Sequence, residues 1–194
     1  MRIVAGQWRG RRIGAPDGRD TRPTSDRVRE AVFDILSARL GPDLGEPRVL
    51  DLFAGSGALG LEALSRGACE AVFVDNDRRA LAALRANLAA LGAEGVARAV
   101  SADALRPSIA AALPGGAFSL LFADPPYRIE PARTGEVFAA IAAAGRLEPG
   151  TWAVYEHDAS TAVEWPEPYE EFDRRVWGTT AVSFATVSEG AHDL

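Results

Sequence analysis

Asp124, Pro125, Pro126 and Tyr127 put a carboxylate, a rigid backbone and an aromatic ring into four consecutive positions. The prolines remove two N–H donors and hold the chain extended, which leaves carbonyls pointing outward. Such a group suits a planar amine. Asp124 and the Pro125 carbonyl can each accept one N–H, drawing nitrogen lone-pair density out of the ring that carries it. Tyr127 can stack on the base, an interaction worth about 1–3 kcal/mol. The nitrogen is then poised for in-line attack on a methyl donor. Taken alone, the tetrapeptide also reads as an ordinary loop at a strand end.

A second segment, Asp51-Leu52-Phe53-Ala54-Gly55-Ser56-Gly57-Ala58-Leu59-Gly60, follows an apolar strand and opens a helix. Its glycines let backbone approach a ligand, and the helix start offers free N–H groups. Asp75, with Asn76 beside it, ends the next strand twenty residues after Gly55, where an acid can accept ribose hydroxyls. The glycine spacing also fits a nicotinamide dinucleotide. Asp51 favours S-adenosylmethionine: its charge would repel a pyrophosphate but suits a cationic amino-acid end. A tight turn without any ligand is the plain alternative.

Both segments need strands to carry them. The expected strands are 48–53, 71–74, 96–100, 118–123 and 152–156. Helices are expected over 25–40, 58–66, 78–91, about 104–113 and 133–144. Apolar runs alternating with helices predict a mainly parallel, doubly wound α/β sheet covered on both faces. Residues 171–176 and 180–187 around Gly178 predict an antiparallel C-terminal hairpin. In such a sheet the first and fourth strands are neighbours, so both loops open on one crevice at the strands' carboxyl ends.

The chain has 194 residues and a net charge of −6. That length suits one methyltransferase-sized domain, expected over 25–188, with a basic arm or hairpin over 1–24 and a disordered tail over 189–194. Eight arginines against three aspartates give residues 1–29 a charge of +5, while the rest carries −11. A basic arm on an acidic body can neutralise phosphates. No apolar run suggests a membrane span, and no secretory signal is recognised. One cysteine and two histidines make no metal cluster. A reducing, cytoplasmic setting follows from the cysteine usage.

The chain resembles the bacterial small-subunit ribosomal RNA guanine-N2 methyltransferases called RsmD. The resemblance rests on Arg2–Gly10 (RIVAGQWRG), Arg22–Phe33 (RPTSDRVREAVF), Asp51–Gly60, Asp124–Tyr127 and Gly178-Thr-Thr. It implies a Rossmann-like class I S-adenosylmethionine-dependent fold. The implied reaction is methylation of N2 of one guanine in 16S rRNA, on the 30S subunit or an assembly intermediate, by a monomer. Asp51, Phe53, Ala54, Gly55, Ser56 and Gly57 would line the cofactor site, with Asp75 and Asn76 at the ribose. Asp103 and Ala104 would border the adenine, and Thr24 would lie near the crevice. Asp124, Pro125, Pro126 and Tyr127 would hold the guanine amine. Trp8, Arg9, Arg11, Arg12, Arg22 and Arg27 would meet the RNA. The family often has Glu where Asp75 stands and sometimes Asn at Asp103; both changes keep acceptors, though the shorter Asp75 weakens the ribose reading.

Several residues carry two readings. Trp8 either stacks on RNA or packs the arm onto the body. Arg27 and Arg29 are ligand contacts or a solvated helix face. Asn87 reads as structural and Cys69 as a small core residue, while Glu156 and His157, which follow the fifth strand near the crevice, read as a satisfied polar pair sooner than as a catalytic one. Two rival functions remain: an adenine-N6 or other planar-amine methyltransferase, and a non-catalytic RNA-binding assembly factor on the same fold. A nicotinamide oxidoreductase lacks an obvious acid–base pair.

Overall fold

The computed structural model describes residues 1–15 and 26–188. Helix α1 (Asp26–Leu40) leads into β1 (Arg48–Leu52), α2 (Ala58–Ser65), β2 (Glu70–Asp75), α3 (Arg78–Leu91) and β3 (Ala97–Ser101). Then come α4 (Ile109–Ala112), β4 (Phe118–Ala123), α5 (Pro131–Ala143), β5 (Leu147–Asp158), β6 (Tyr169–Trp177) and β7 (Thr180–Val187). Seven strands form one sheet in the order β3-β2-β1-β4-β5-β7-β6. The first five are parallel. β7 inserts antiparallel between β5 and β6. The mainly parallel sheet and its antiparallel end are those expected from the alternation of apolar runs and helices.

Alternate strand residues feed two cores. Val49, Phe73, Phe122 and Val154 pack with α1, α2 and α3 on one face. Leu50, Leu52, Val74, Ala123 and Tyr155 pack with α4 and α5 on the other. Burial on both faces is why these strands read as continuous apolar runs. α3 matches its expected bounds because its ends are chemically marked. The Asp77 side chain accepts from the Arg79 and Ala80 N–H groups, and Gly92 ends the helix at φ 68°.

Three expectations fail for local reasons. The helix expected over 104–113 shrinks to Ile109–Ala112. Pro107 disfavours helical backbone at Arg106, and Asp103 accepts the Leu105 N–H at 3.0 Å to form a turn. β5 begins five residues early because Leu147–Gly150 is a largely exposed lead-in without apolar signal, beside a register shift between Phe118 and Leu120. Cys69 is exposed rather than core. It lies in the turn entering β2, its N–H held by Pro47 O, at the sheet edge opposite the crevice.

Residues 1–15 form a closed loop bridged between Arg2 and Arg12 and docked on α2. Glu62, fully buried, accepts the N–H groups of Val4 at 2.8 Å and Ala5 at 3.0 Å. It also takes Arg66 Nε at 2.8 Å. Gly6 is demanded by this docking: a Cβ there would lie 1.7 Å from Ser65 O. Arg29 is neither a ligand contact nor a solvated residue. It is fully buried, donating to Arg2 O at 2.6 Å and Asp26 Oδ1 at 2.8 Å, because the docked arm leaves a carbonyl and the Glu62 charge needing a cation. Thr24, Arg22 and the tail expected over 189–194 lie outside the described residues.

Candidate active site

Four carboxylates occupy the carboxyl ends of four adjacent strands. Asp51 pairs with Phe73 on β2 and Phe122 on β4, and Ala123 pairs with Tyr155 on β5. Asp75 and Asp124 therefore fall at or just past their strand ends. Strand alternation sends Asp75, Asp51, Asp124 and Glu156 to the face occupied by α1–α3. Across β2-β1-β4-β5 they stand in that order.

Asp51 is only 2% exposed, and its Oδ2 accepts the Gly60 N–H at 2.9 Å. Burial pushes its carboxyl up to about 8; the Gly60 hydrogen bond opposes this, while the charges of Asp124 and Asp75 add to it. Gly60 is needed for that approach. A Cβ would sit 2.4 Å from the Phe73 ring and 3.1 Å from Asp51 Oδ2.

Phe53, Gly55 and Gly57 all have positive φ, at 59°, 56° and 85°. A Cβ on Gly57 would strike Leu84 at 2.5 Å, whereas one on Gly55 would project into open space. The loop thus presses Gly57 into the core and turns Gly55 outward. Asp75 fixes it: Oδ2 accepts the Gly55 N–H at 2.8 Å and Oδ1 the Asp77 N–H at 2.8 Å. A carboxylate has about four lone-pair positions, so both oxygens keep acceptor capacity for hydroxyls. Asn87 Nδ2 holds the loop from below through Ser56 O at 2.9 Å.

On the other side, Pro125 is buried while Pro126 and Tyr127 are exposed. Tyr127 Oη lies 2.6 Å from Thr180 Oγ1 and donates to Glu156 Oε1 at 3.4 Å. Burial first, then the Glu156 and Asp124 charges, hold the phenol above its ordinary range, with Thr180 opposing. The residue as a whole remains 39% exposed, with its hydroxyl end anchored. His157 is buried; Nδ1 donates to Asp158 O at 2.9 Å, leaving Nε2 to accept from Ser183 Oγ at 3.2 Å.

A family model described as "Conserved hypothetical protein 95" matches residues 1–186. The chain belongs to this family, the RsmD family. YlbH of Bacillus subtilis strain 168, named as a candidate rRNA methyltransferase, is 37% identical over 94% of this chain and 97% of its own length. The Ribosomal RNA small subunit methyltransferase D of Escherichia coli strain K12 is 46% identical over 66% of this chain and 61% of that protein. The solved structure of YhhF from Escherichia coli, described as a candidate methyltransferase, superposes with a TM-score of 0.81 at 36% identity, covering 97% of this chain and 98% of that one. The fold of this RsmD-family chain is that of class I methyltransferases.

The structure brings Asp51, Phe53, Ala54, Gly55, Ser56, Gly57 and Asp75 together around one loop. Asn76 is exposed beside them, and Asp103 and Ala104 follow β3, the next strand over. Asp124–Tyr127 faces this group from β4. Trp8 is half-buried against the core, its backbone N–H on Ser65 Oγ at 3.0 Å. Arg9, Arg11, Arg12 and Arg27 are all exposed, and the Arg11 guanidinium donates to Ala90 O. Thr24 and Arg22 lie outside the described residues. Among those described, no helix is long and apolar enough to cross a membrane, and no cluster of His, Cys, Asp or Glu is spaced to hold a metal ion. Thr180 was not singled out from the sequence; Gly178-Thr-Thr was its only signal.

Proposed function

We propose that this chain methylates the exocyclic N2 of one guanine in 16S rRNA, with S-adenosylmethionine as donor, on the small ribosomal subunit or its assembly intermediate in the bacterial cytoplasm. The observation that carries the reading is adjacency. The glycine loop with Asp51 and Asp75 sits at the ends of β1 and β2, and Asp124-Pro125-Pro126-Tyr127 sits at the end of β4, the other neighbour of β1. The names of the relatives in Bacillus subtilis and Escherichia coli support ribosomal RNA as the substrate class.

The residues fit the cofactor. Gly55 opens onto free space, Asp75 offers acceptors for a ribose, and Asp51 is a buried carboxyl that a cationic amine would favour as carboxylate. When bound, S-adenosylmethionine supplies an electrophilic methyl group. Asp124 and the Pro125 carbonyl accept the two N–H bonds of the guanine amine and orient its lone pair. The Tyr127 ring holds the base by stacking, and Thr180 and Glu156 keep that ring in place. Positioning of this kind offers about 7–11 kcal/mol of the barrier in principle. A base taken from an RNA stack must first be flipped out, at a cost of about a few kcal/mol.

The test is methyl transfer from labelled S-adenosylmethionine to 30S particles lacking the modification, followed by digestion to nucleosides. N2-methylguanosine at a single 16S site is the expected product. N6-methyladenosine, or label only on DNA or protein, overturns the substrate while keeping the fold.

A further inference from the structure

The Asp-Pro-Pro-Tyr loop by itself reads only an amine, and adenine and guanine both carry one. Their neighbouring ring positions differ: N1 of guanine bears a hydrogen and donates, whereas N1 of adenine accepts. A site that selects guanine therefore needs an acceptor next to the one that holds the amine. A neutral amide or a backbone carbonyl would serve, but a carboxylate serves best because it cannot donate to adenine N1.

Glu156 stands where that acceptor is needed. The register Ala123↔Tyr155 makes Asp124 and Glu156 the next positions on neighbouring parallel strands. Phe122 and Val154, each two residues earlier, share one core, so Asp124 and Glu156 turn to the same face. Glu156 Oε1 also lies 3.4 Å from the Tyr127 hydroxyl, at the rim of the ring on which the base would stack. Only 8% of the residue is exposed. A carboxylate offers about four lone-pair positions, so it can meet more than one donor at once.

We infer that Glu156 accepts the N1–H of the target guanine while Asp124 accepts from its N2 amine, so that the two carboxylates together read guanine and reject adenine. This rests on the guanine-N2 reading above. The same hydrogen bond at N1 pushes electron density into the ring and toward the amine, which favours attack by N2. No proton leaves N1 in this scheme.

The experiment compares 30S particles reconstituted with ligated 16S rRNA carrying either guanosine or 2-aminopurine ribonucleoside at the target position. 2-Aminopurine keeps the amine at C2 but has an acceptor at N1. The wild-type protein is expected to prefer guanosine in kcat/KM by roughly tenfold to hundredfold, the range of one charge-assisted hydrogen bond. Because 2-aminopurine also lacks O6, the decisive quantity is how Glu156→Gln and Glu156→Leu change that preference. Glu156→Leu is expected to lower the guanosine rate far more than the 2-aminopurine rate, whereas Glu156→Gln, which keeps an acceptor and adds a donor, is expected to narrow the ratio chiefly by raising the 2-aminopurine rate. Equal losses on both substrates would mean that Glu156 only holds Tyr127, and would overturn the inference. A wild-type protein with no activity on guanosine particles would instead refute the guanine-N2 reading itself. Circular dichroism and cofactor-analogue affinity of each variant separate misfolding from either outcome.

Discussion

Asn87 and Gly14 close a reciprocal pair of hydrogen bonds: the Asn87 Oδ1 accepts the Gly14 N–H at 2.7 Å, and its Nδ2 donates to Gly14 O at 3.0 Å. The same Nδ2 holds Ser56 O in the glycine loop. One side chain on α3 thus ties the basic arm to the loop expected to carry the cofactor.

Asn87→Ala is therefore expected to lower stability by about 1–3 kcal/mol, the usual penalty for stranding buried polar groups. It should also weaken binding of S-adenosylhomocysteine through the freed Ser56 carbonyl. Urea unfolding and calorimetric titration measure the two effects. A variant that unfolds at the wild-type urea concentration would show that water replaces the lost amide.

Asp51 gives a pH dependence of unusual sign. Its folded pKa is raised to about 8 from 3.8, so between those values the folded protein holds a proton that the unfolded chain has lost. Stability from this group therefore falls as pH rises from about 4 to about 8, by an amount on the order of several kcal/mol. Asp51→Asn keeps an acceptor for the Gly60 N–H and never charges. It should be more stable than wild type at pH 8, with the two converging near pH 4 in urea titrations. A constant difference across that range would mean the carboxyl ionises normally. A cationic ligand seated on Asp51 should also expel its proton, so titration of S-adenosylhomocysteine near pH 7 in buffers of different ionisation enthalpy should register proton release.

Asp124 and Asp51 differ in what their loss should do. Asp124→Ala removes an acceptor for the amine and leaves the Asp75 and Asp51 hydrogen bonds to the glycine loop in place, so cofactor-analogue affinity should stay within about threefold. Turnover should fall by roughly a thousandfold, as for loss of a transition-state electrostatic partner. Parallel loss of binding and turnover would assign Asp124 to the cofactor instead.

The parts of this architecture that show in the sequence are those set by local chemistry. Asp77 and Gly92 mark both ends of α3, and Asp51 and Asp124 stand out because each follows an apolar run. Contacts between distant segments do not show. Tyr127 meets Thr180 only because β7 inserts between β5 and β6, and no spacing in the chain announces that insertion. Gly60 reads as a helix residue until Phe73 and Asp51 are seen to crowd its missing Cβ. Arg29 lies among exposed-looking arginines, yet the docking of residues 1–15 buries it.

That docking also engages some of the basic arm's charges, exposed Arg11 among them, with the body. Arg29 is consumed by the Arg2 carbonyl and Asp26, and Arg11 by the Ala90 carbonyl at the end of α3. Arg9 and Arg12 remain exposed on the same loop, on a body that is otherwise acidic and would repel phosphates by itself. If these two carry the arm's contribution to RNA binding, replacing both by Ala should weaken 30S binding and reduce the slope of log affinity against log salt by about one per arginine removed. Folding and cofactor-analogue affinity should stay at wild-type values, because neither side chain supports the body. A salt slope equal to wild type would show that the RNA is held elsewhere on the chain. In that case the arm's role would be confined to closing α2 and Asn87 over the glycine loop.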